Sequence, residues 1–277
     1  MAMRHLAFPL VLVACGAAPQ LRVANYEDPR TGGASAPVSH AHNDDTLELE
    51  ADAELVEPDH PAVQTPQERA LVHVHTPKGV CTGAVVGARL ILTAHQCVGN
   101  ELKGASAVTD KDSYRVEVAS STLTWTARHV TAVVAPGCDW NRFDAAILVL
   151  DEAVDWVTPL APATAPAPGA PVQALGYGKC RGETRPFSGR TGQVVTRERD
   201  AVVVDVAMCR GDVGGVVVDS GAGLLGVVSH QDDPNGVSRR TTTAFRLDTV
   251  AARKLLEQAE ALAHGGDVTK SAPVACE

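Results

Sequence analysis

Aromatic side chains are scarce. The chain of 277 residues holds three Trp, three Tyr and four Phe, or 4 %. A core stacked from rings is excluded, and Val, Leu, Ala and Ile must fill it. Basic charge is also short: 24 Lys and Arg stand against 33 Asp and Glu, for a formal net charge of −9. Nucleic-acid binding wants a basic patch, so nucleic acid is not an expected partner. Long apolar runs are missing too. Beyond the N-terminus no stretch approaches the ~20 apolar residues of a membrane-spanning helix. No cofactor or metal is expected.

What is present is apolar and finely punctuated. Short Val-rich runs separated by Gly and Pro favour an all-β chain. The N-terminus reads as an export signal. Arg4 and His5 precede an apolar run from Leu6 to Ala14, too short to span a bilayer. Leu12-Val13-Ala14-Cys15 looks like a bacterial lipobox, with cleavage before Cys15 and lipid on its sulfur. An ordinary signal peptide cleaved near Ala17 or Ala18 is the alternative. Gly16 carries no Asp-type retention signal, which for such lipoproteins implies the outer membrane or cell surface. Any membrane contact is expected through the lipid on Cys15. Seven cysteines are an odd number, but removing Cys15 leaves six, enough for three disulfides in an oxidising compartment.

The acidity is local. Between Gly16 and Pro66 ten acidic side chains face Arg22 and Arg30, a balance of −8. This Pro-, Ala- and acid-rich stretch lacks periodicity and reads as an extended, disordered tether. His40 and His42 precede Asp44 and Asp45, but flexible ligands without a supporting shell bind metal poorly, so a solvated linker is the better reading. The expected organisation is a signal peptide over 1–14, a tether over 15–66, a folded domain over 67–264 and a tail over 265–277.

From Gln67 the texture changes. Leu71 to His75 alternates, with Val72 and Val74 on one face and His73 and His75 on the other, a face expected to be solvated. Four blocks follow. The first is Cys81-Thr82-Gly83-Ala84-Val85-Val86 and then Leu90-Ile91-Leu92-Thr93-Ala94-His95-Gln96-Cys97-Val98. The second is Phe143-Asp144-Ala145-Ala146-Ile147-Leu148-Val149-Leu150. The third is Cys209-Arg210-Gly211-Asp212-Val213-Gly214-Gly215. The fourth is Leu225-Gly226-Val227-Val228-Ser229-His230. Asp248 or Thr249 would then cap a helix through about His264, with Ala251, Leu255, Ala259 and Leu262 on one stripe.

These blocks, in this order, resemble the trypsin-like serine peptidases over about 70 % of the chain. The resemblance implies two packed six-stranded antiparallel barrels, a site in the crevice between them, and a C-terminal helix. It implies a Cys81–Cys97 disulfide, worth roughly 3 kcal/mol in the chain-entropy picture. Cys138, Cys180, Cys209 and Cys276 allow three pairings. The resemblance favours Cys180 with Cys209, leaving Cys138 with Cys276. Asp144 and Val213 are 69 residues apart, short for the family, so loops of the second barrel should be trimmed.

The departures concern the chemistry. Such a peptidase needs a hydroxyl nucleophile, an imidazole base and a carboxylate that orients the imidazole. Val213 stands at the nucleophile position and has no proton to give up. Counting back from Cys97 puts Gln96 at the base position, with His95 displaced by one place, where a strand or tight turn would reverse its direction. Asp144 matches the carboxylate, and the Gln96 amide and Ser229 hydroxyl are candidates to satisfy it. The amides of Gly211 and Val213 match the oxyanion site. Ala207 falls at the floor of the specificity pocket, so no carboxylate there selects basic residues. Arg210 and His230 border the cleft and would offer a modest anion site, although solvated side chains are the simpler account. The family's zymogen switch pairs a new N-terminal ammonium with the acid before the nucleophile, here Asp212. No matching start precedes Leu71, so Asp212 needs another partner or the loop rests in a zymogen-like arrangement.

The reading is a catalytically inactive homologue, lipid-anchored in the cell envelope, that binds a protein or peptide. The alternative is an active endopeptidase with rearranged residues, Ser229 or Ser220 attacking with His95 as base. A purely structural role without a ligand is the third possibility.

Overall fold

Thirteen strands carry the architecture of the described residues. The computed structural model describes residues 63, 65–178, 189–209, 211–229 and 241–276, all within one unit, Leu55–Glu277. The chain enters through a single helical turn, α1 (Pro66–Arg69). There Thr65 accepts from the Glu68 amide, and Glu68 accepts from the Thr65 amide in return, a capping box.

Seven strands follow: β1 (Leu71–Thr76), β2 (Gly79–Gly87), β3 (Leu90–Thr93), β4 (Gly104–Ala107), β5 (Arg115–Ala119), β6 (Trp125–Ala135) and β7 (Ala146–Leu150). Their order is β4-β6-β5-β1-β2-β3-β7, and β6 also pairs with β7. That pairing closes six of them into an antiparallel barrel, with β4 added along the long β6. Closure explains the sequence of β7: all five residues of Ala-Ile-Leu-Val-Leu are buried, because the inner face fills the barrel and helix α3 covers the outer one.

The second barrel is built from β8 (Pro171–Leu175), β9 (Gly189–Arg197), β10 (Ala201–Val204), β11 (Val216–Asp219), β12 (Leu224–Ser229) and β13 (Thr242–Arg246), closed in the order β10-β13-β12-β11-β8-β9. Its interior is small and aliphatic, with Val172, Val194, Val202, Val204, Val217 and Leu225 in one cluster. The two-barrel architecture and the C-terminal helix match the fold implied by the four sequence blocks.

Helix α3 (Val250–Ala263) is capped by Thr249, whose hydroxyl accepts from the Ala252 amide at 3.2 Å. Asp248 instead binds Arg246 and the Ala165 amide. The buried stripe is Ala252, Leu255, Ala259 and Leu262. It starts one residue later than the expected Ala251, because steps of three and four alternate around a 3.6-residue turn.

One expectation fails on β1. His73 is buried rather than solvated. Its ring stacks on Tyr177, which follows β8, with centroids 4.3 Å apart, and meets the edge of Trp125 at 5.1 Å. A strand face that the first barrel alone would leave wet is covered by the second. His75 lies further out and pairs with Glu117 at 2.8 Å.

The cysteines lock distant segments. Cys81 bridges to Cys97, and Cys138 to Cys276. Cys209 is disulfide-bonded, whereas Cys180 lies outside the described residues. The Cys138–Cys276 link holds the C-terminal tail on the first barrel. There Gly137 donates to the Val274 carbonyl at 2.8 Å and Val274 is buried.

Candidate functional site

The site forms where β3, the approach to β7, the end of β12 and the loop before β11 converge. After Thr93 the chain turns into α2 (His95–Val98), one helical turn held by the Cys97 disulfide. A helical turn separates neighbouring side chains by about 100° rather than by the 180° of a strand. The displaced histidine therefore points away for a helical reason, not for the expected strand-like one. His95 is fully buried, and its Nε2 meets the Leu102 carbonyl at 2.8 Å. Its Nδ1 has no partner among the described residues, and burial pulls its pKa below the ordinary 6.5. A carbonyl accepts, so Nε2 carries the proton and the ring is neutral.

Gln96 faces the crevice. Its backbone amide donates to Asp144 Oδ1 at 2.9 Å, and its side-chain Nε2 donates to Asp144 Oδ2 at 2.5 Å. Ser229 adds a third donor, its hydroxyl 2.6 Å from Oδ2. Asp144 is completely buried. Burial pushes its pKa up, and the Ser229 hydroxyl and both Gln96 donors pull it back. Gln96 thus stands where an imidazole would need to donate to the same carboxylate. Gln96→Ala removes one hydrogen bond to a buried carboxylate and leaves Oδ2 with the Ser229 hydroxyl alone, so it is expected to destabilise the fold by about 1–3 kcal/mol. Denaturant midpoints read this directly, and an unchanged midpoint would remove Gln96 from the structural account.

Cys209 and residues 211–215 approach from the second barrel and meet the first at Thr82. Asp212 is completely buried. It accepts from the Gly178 amide at 2.6 Å, the Cys209 amide at 2.7 Å and Arg190 Nη1 at 3.1 Å. Gly178 is required there, because a Cβ would collide with the Asp212 carboxyl. Arg190, on β9, is the partner that the sequence left open for Asp212. Burial raises the Asp212 pKa; the Cys209 amide and the Arg190 charge act against it.

Thr82 pins the loop from the first barrel. Its hydroxyl donates to the Gly211 carbonyl at 2.7 Å and accepts from the Tyr177 amide at 3.0 Å, while its amide donates to the Val213 carbonyl at 2.9 Å. Gly211 has φ +98°, a left-handed conformation that only glycine adopts without strain. The amides of Gly211 and Val213 donate to no acceptor among the described residues. Val213 is half-buried and aliphatic. Ala207 is half-buried two residues before Cys209. Arg210 and His230 lie outside the described residues.

A family model for trypsin matches residues 60–252. The chain belongs to the trypsin family. No curated protein sequence matches it. Among solved structures, a Glu endopeptidase in complex with MPD is 18 % identical, with 72 % of this chain and 95 % of that one covered and a TM-score of 0.56. The scabies mite inactivated protease paralogue S-D1 is 16 % identical, covering 77 % and 98 %, at 0.58. Human heparin binding protein is 21 % identical, covering 74 % and 96 %, at 0.55. Identities this low speak for the fold only.

In this trypsin-family frame, Gln96 and Ser229 are joined to Asp144 by hydrogen bonds, and the loop that carries Val213 is tied to the first barrel through Thr82. What sequence reasoning missed is the support. Arg190 sits in Gly189-Arg190-Thr191-Gly192, which carries no motif, and Thr82 reads as a generic small residue. One signal was available: a buried acid with no N-terminal ammonium requires a cation from elsewhere in the chain.

Proposed function

We propose that this trypsin-family domain is a non-catalytic binding module, exported and lipid-anchored through Cys15 in the bacterial envelope, whose crevice takes a protein or peptide. The observation that carries the reading is the pairing of Gln96 with Asp144, together with the aliphatic Val213 at the position where the family resemblance expects a nucleophile. An amide cannot accept and return a proton near neutral pH, and valine offers no nucleophile. Loss of either member of such a triad lowers turnover by about a million-fold in a convergent protease. The scabies mite inactivated protease paralogue has the same fold, which is consistent with a non-catalytic use of it.

The second reading, an active endopeptidase, draws on one contact: Ser229 touches Asp144 at 2.6 Å. That contact counts against it on chemistry. The hydroxyl donates its proton to the carboxylate, and His95 directs Nε2 to Leu102 instead. Ser220 is exposed in the turn after β11. Casein incubated with purified protein should remain intact. Hydrolysis that vanishes in Ser229→Ala would establish the second reading. Metabolic incorporation of a fatty-acid analogue, abolished in Cys15→Ala, tests the anchor; a soluble, unlabelled wild type would refute it.

A further inference from the structure

The segment that follows α3 is tied to the domain by few polar contacts. Pro273 rests on two glycines of the first barrel: a Cβ on Gly104 or on Gly137 would stand 3.1 Å from its ring. Val274, the next residue, is buried. Among the described residues only two hydrogen bonds join residues 267–276 to the rest, Gln258 Nε2 to the Ala272 carbonyl at 3.0 Å and the Gly137 amide to the Val274 carbonyl at 2.8 Å. The Cys138–Cys276 disulfide is the cross-link. Cys138 lies in the connection from β6 to β7, six residues before Asp144. That connection also grips the stretch between α2 and β4: Asp139 pairs with Lys103 at 2.6 Å, and the Trp140 amide donates to Asn100 Oδ1 at 3.2 Å. The same stretch supplies the Leu102 carbonyl that receives His95. Through Cys138 the segment is therefore joined to the chain stretches next to both Gln96 and Asp144.

We propose that residues 267–276 form a redox-released strap: a protein dithiol reduces Cys138–Cys276 ahead of Cys81–Cys97, the strap lifts from Gly104 and Gly137, and the hold on the Gln96–Asp144 pair loosens. A thiolate of the reductant attacks Cys276 Sγ, and Cys138 leaves as a thiolate that takes up a proton. The second thiol of the reductant then resolves the mixed disulfide, freeing Cys276 as a thiol. Two electrons and two protons pass to the domain, and the reductant is left as its own disulfide. The order follows from access and from what happens afterwards. Cys138 and Cys276 are both half-buried, whereas Cys97 is only 2 % exposed. If Cys81–Cys97 opens, β2 and β3 stay paired and the two thiols still face each other. If Cys138–Cys276 opens, Cys276 departs on a free chain end held by two hydrogen bonds, and its effective concentration at Cys138 falls. The inference does not depend on what the crevice binds.

The test treats the full-length protein with reduced thioredoxin, quenches samples over time with N-ethylmaleimide and maps the labelled cysteines by mass spectrometry. Cys138 and Cys276 should be labelled at least about tenfold faster than Cys81 and Cys97. Hydrogen–deuterium exchange of the partly reduced protein should rise in peptides covering 267–276, 104–107 and 136–143, and in the α2 peptide that carries the Gln96 amide. The rest of both barrels should stay protected. Reoxidation should restore the original exchange. Cys276→Ser should show the faster exchange without any reductant. Equal labelling of the two bridges overturns the proposal. Reduction of Cys138–Cys276 with unchanged exchange in 267–276 also overturns it, because packing alone then holds the segment. A released segment with an unchanged α2 peptide overturns the link to the Gln96–Asp144 pair. Exchange that rises throughout the domain overturns it as well, since the disulfide would then hold the whole fold rather than a strap.

Discussion

Replacing Arg190 with alanine is expected to destabilise the domain by about 3–5 kcal/mol, the usual cost of leaving a buried charge without its partner. The setting makes the effect large. Asp212 is fully buried, and the Arg190 side chain retains only 15 % of its exposure. Solvent therefore screens the pair weakly. Two backbone donors remain in Arg190→Ala, but among the described residues no paired positive charge does. The pH dependence has a definite sign. Burial already raises the Asp212 pKa from 3.8, and loss of the cation raises it further. A carboxyl whose folded pKa exceeds its unfolded value binds more protons folded than unfolded. Its contribution is favourable below the unfolded value and is lost as pH rises through the folded one. The gap between variant and wild type should therefore be widest near neutral pH and narrow on acidification towards 4. Guanidinium midpoints at several pH values measure this. The double variant Arg190→Ala with Asp212→Asn should recover part of the loss. A loss below about 1 kcal/mol at neutral pH would mean that the Asp212 loop is held by its backbone donors alone.

A second large effect is expected from reversing the two departures together. In Gln96→His with Val213→Ser, the imidazole inherits a position from which Nε2 of Gln96 now donates to Asp144. The introduced hydroxyl sits in a loop already fixed by Arg190 and Thr82, next to two free amides. Hydrolysis of casein or of an activated ester should rise at least about a thousand-fold above wild type. Each single reversion should stay close to wild type, because the members of a triad act as a unit. A folded double variant that remains silent would mean that the crevice is closed to peptides.

The blocks around Cys81, Asp144, Asp212 and Ser229 were legible because each combines a local pattern with a fixed order along the chain. Val213 and Gln96 were legible for the same reason: the frame around them is intact, so the odd residue stands out. Three features were not. Alternation along β1 identifies the inner face, Val72 and Val74, but the fate of His73 depends on Tyr177 from the other barrel. Arg190 reaches Asp212 across 22 residues of sequence, and no local rule selects one arginine among many. His95 turns away because α2 is helical, and a single turn of four residues carries too little periodicity to announce itself. In the first two cases the missing information is a tertiary contact; in the third it is a local turn too short to read from periodicity.

The central claim is that no hydroxyl in this crevice can be driven onto an electrophile. Intact-mass spectrometry of the wild type after prolonged exposure to a fluorophosphonate measures it most directly. The account predicts an unmodified mass for the native protein, with adduct formation restored only in Gln96→His with Val213→Ser. A stoichiometric adduct on the native wild type, mapped to Ser229 or any other serine of the crevice, would contradict it.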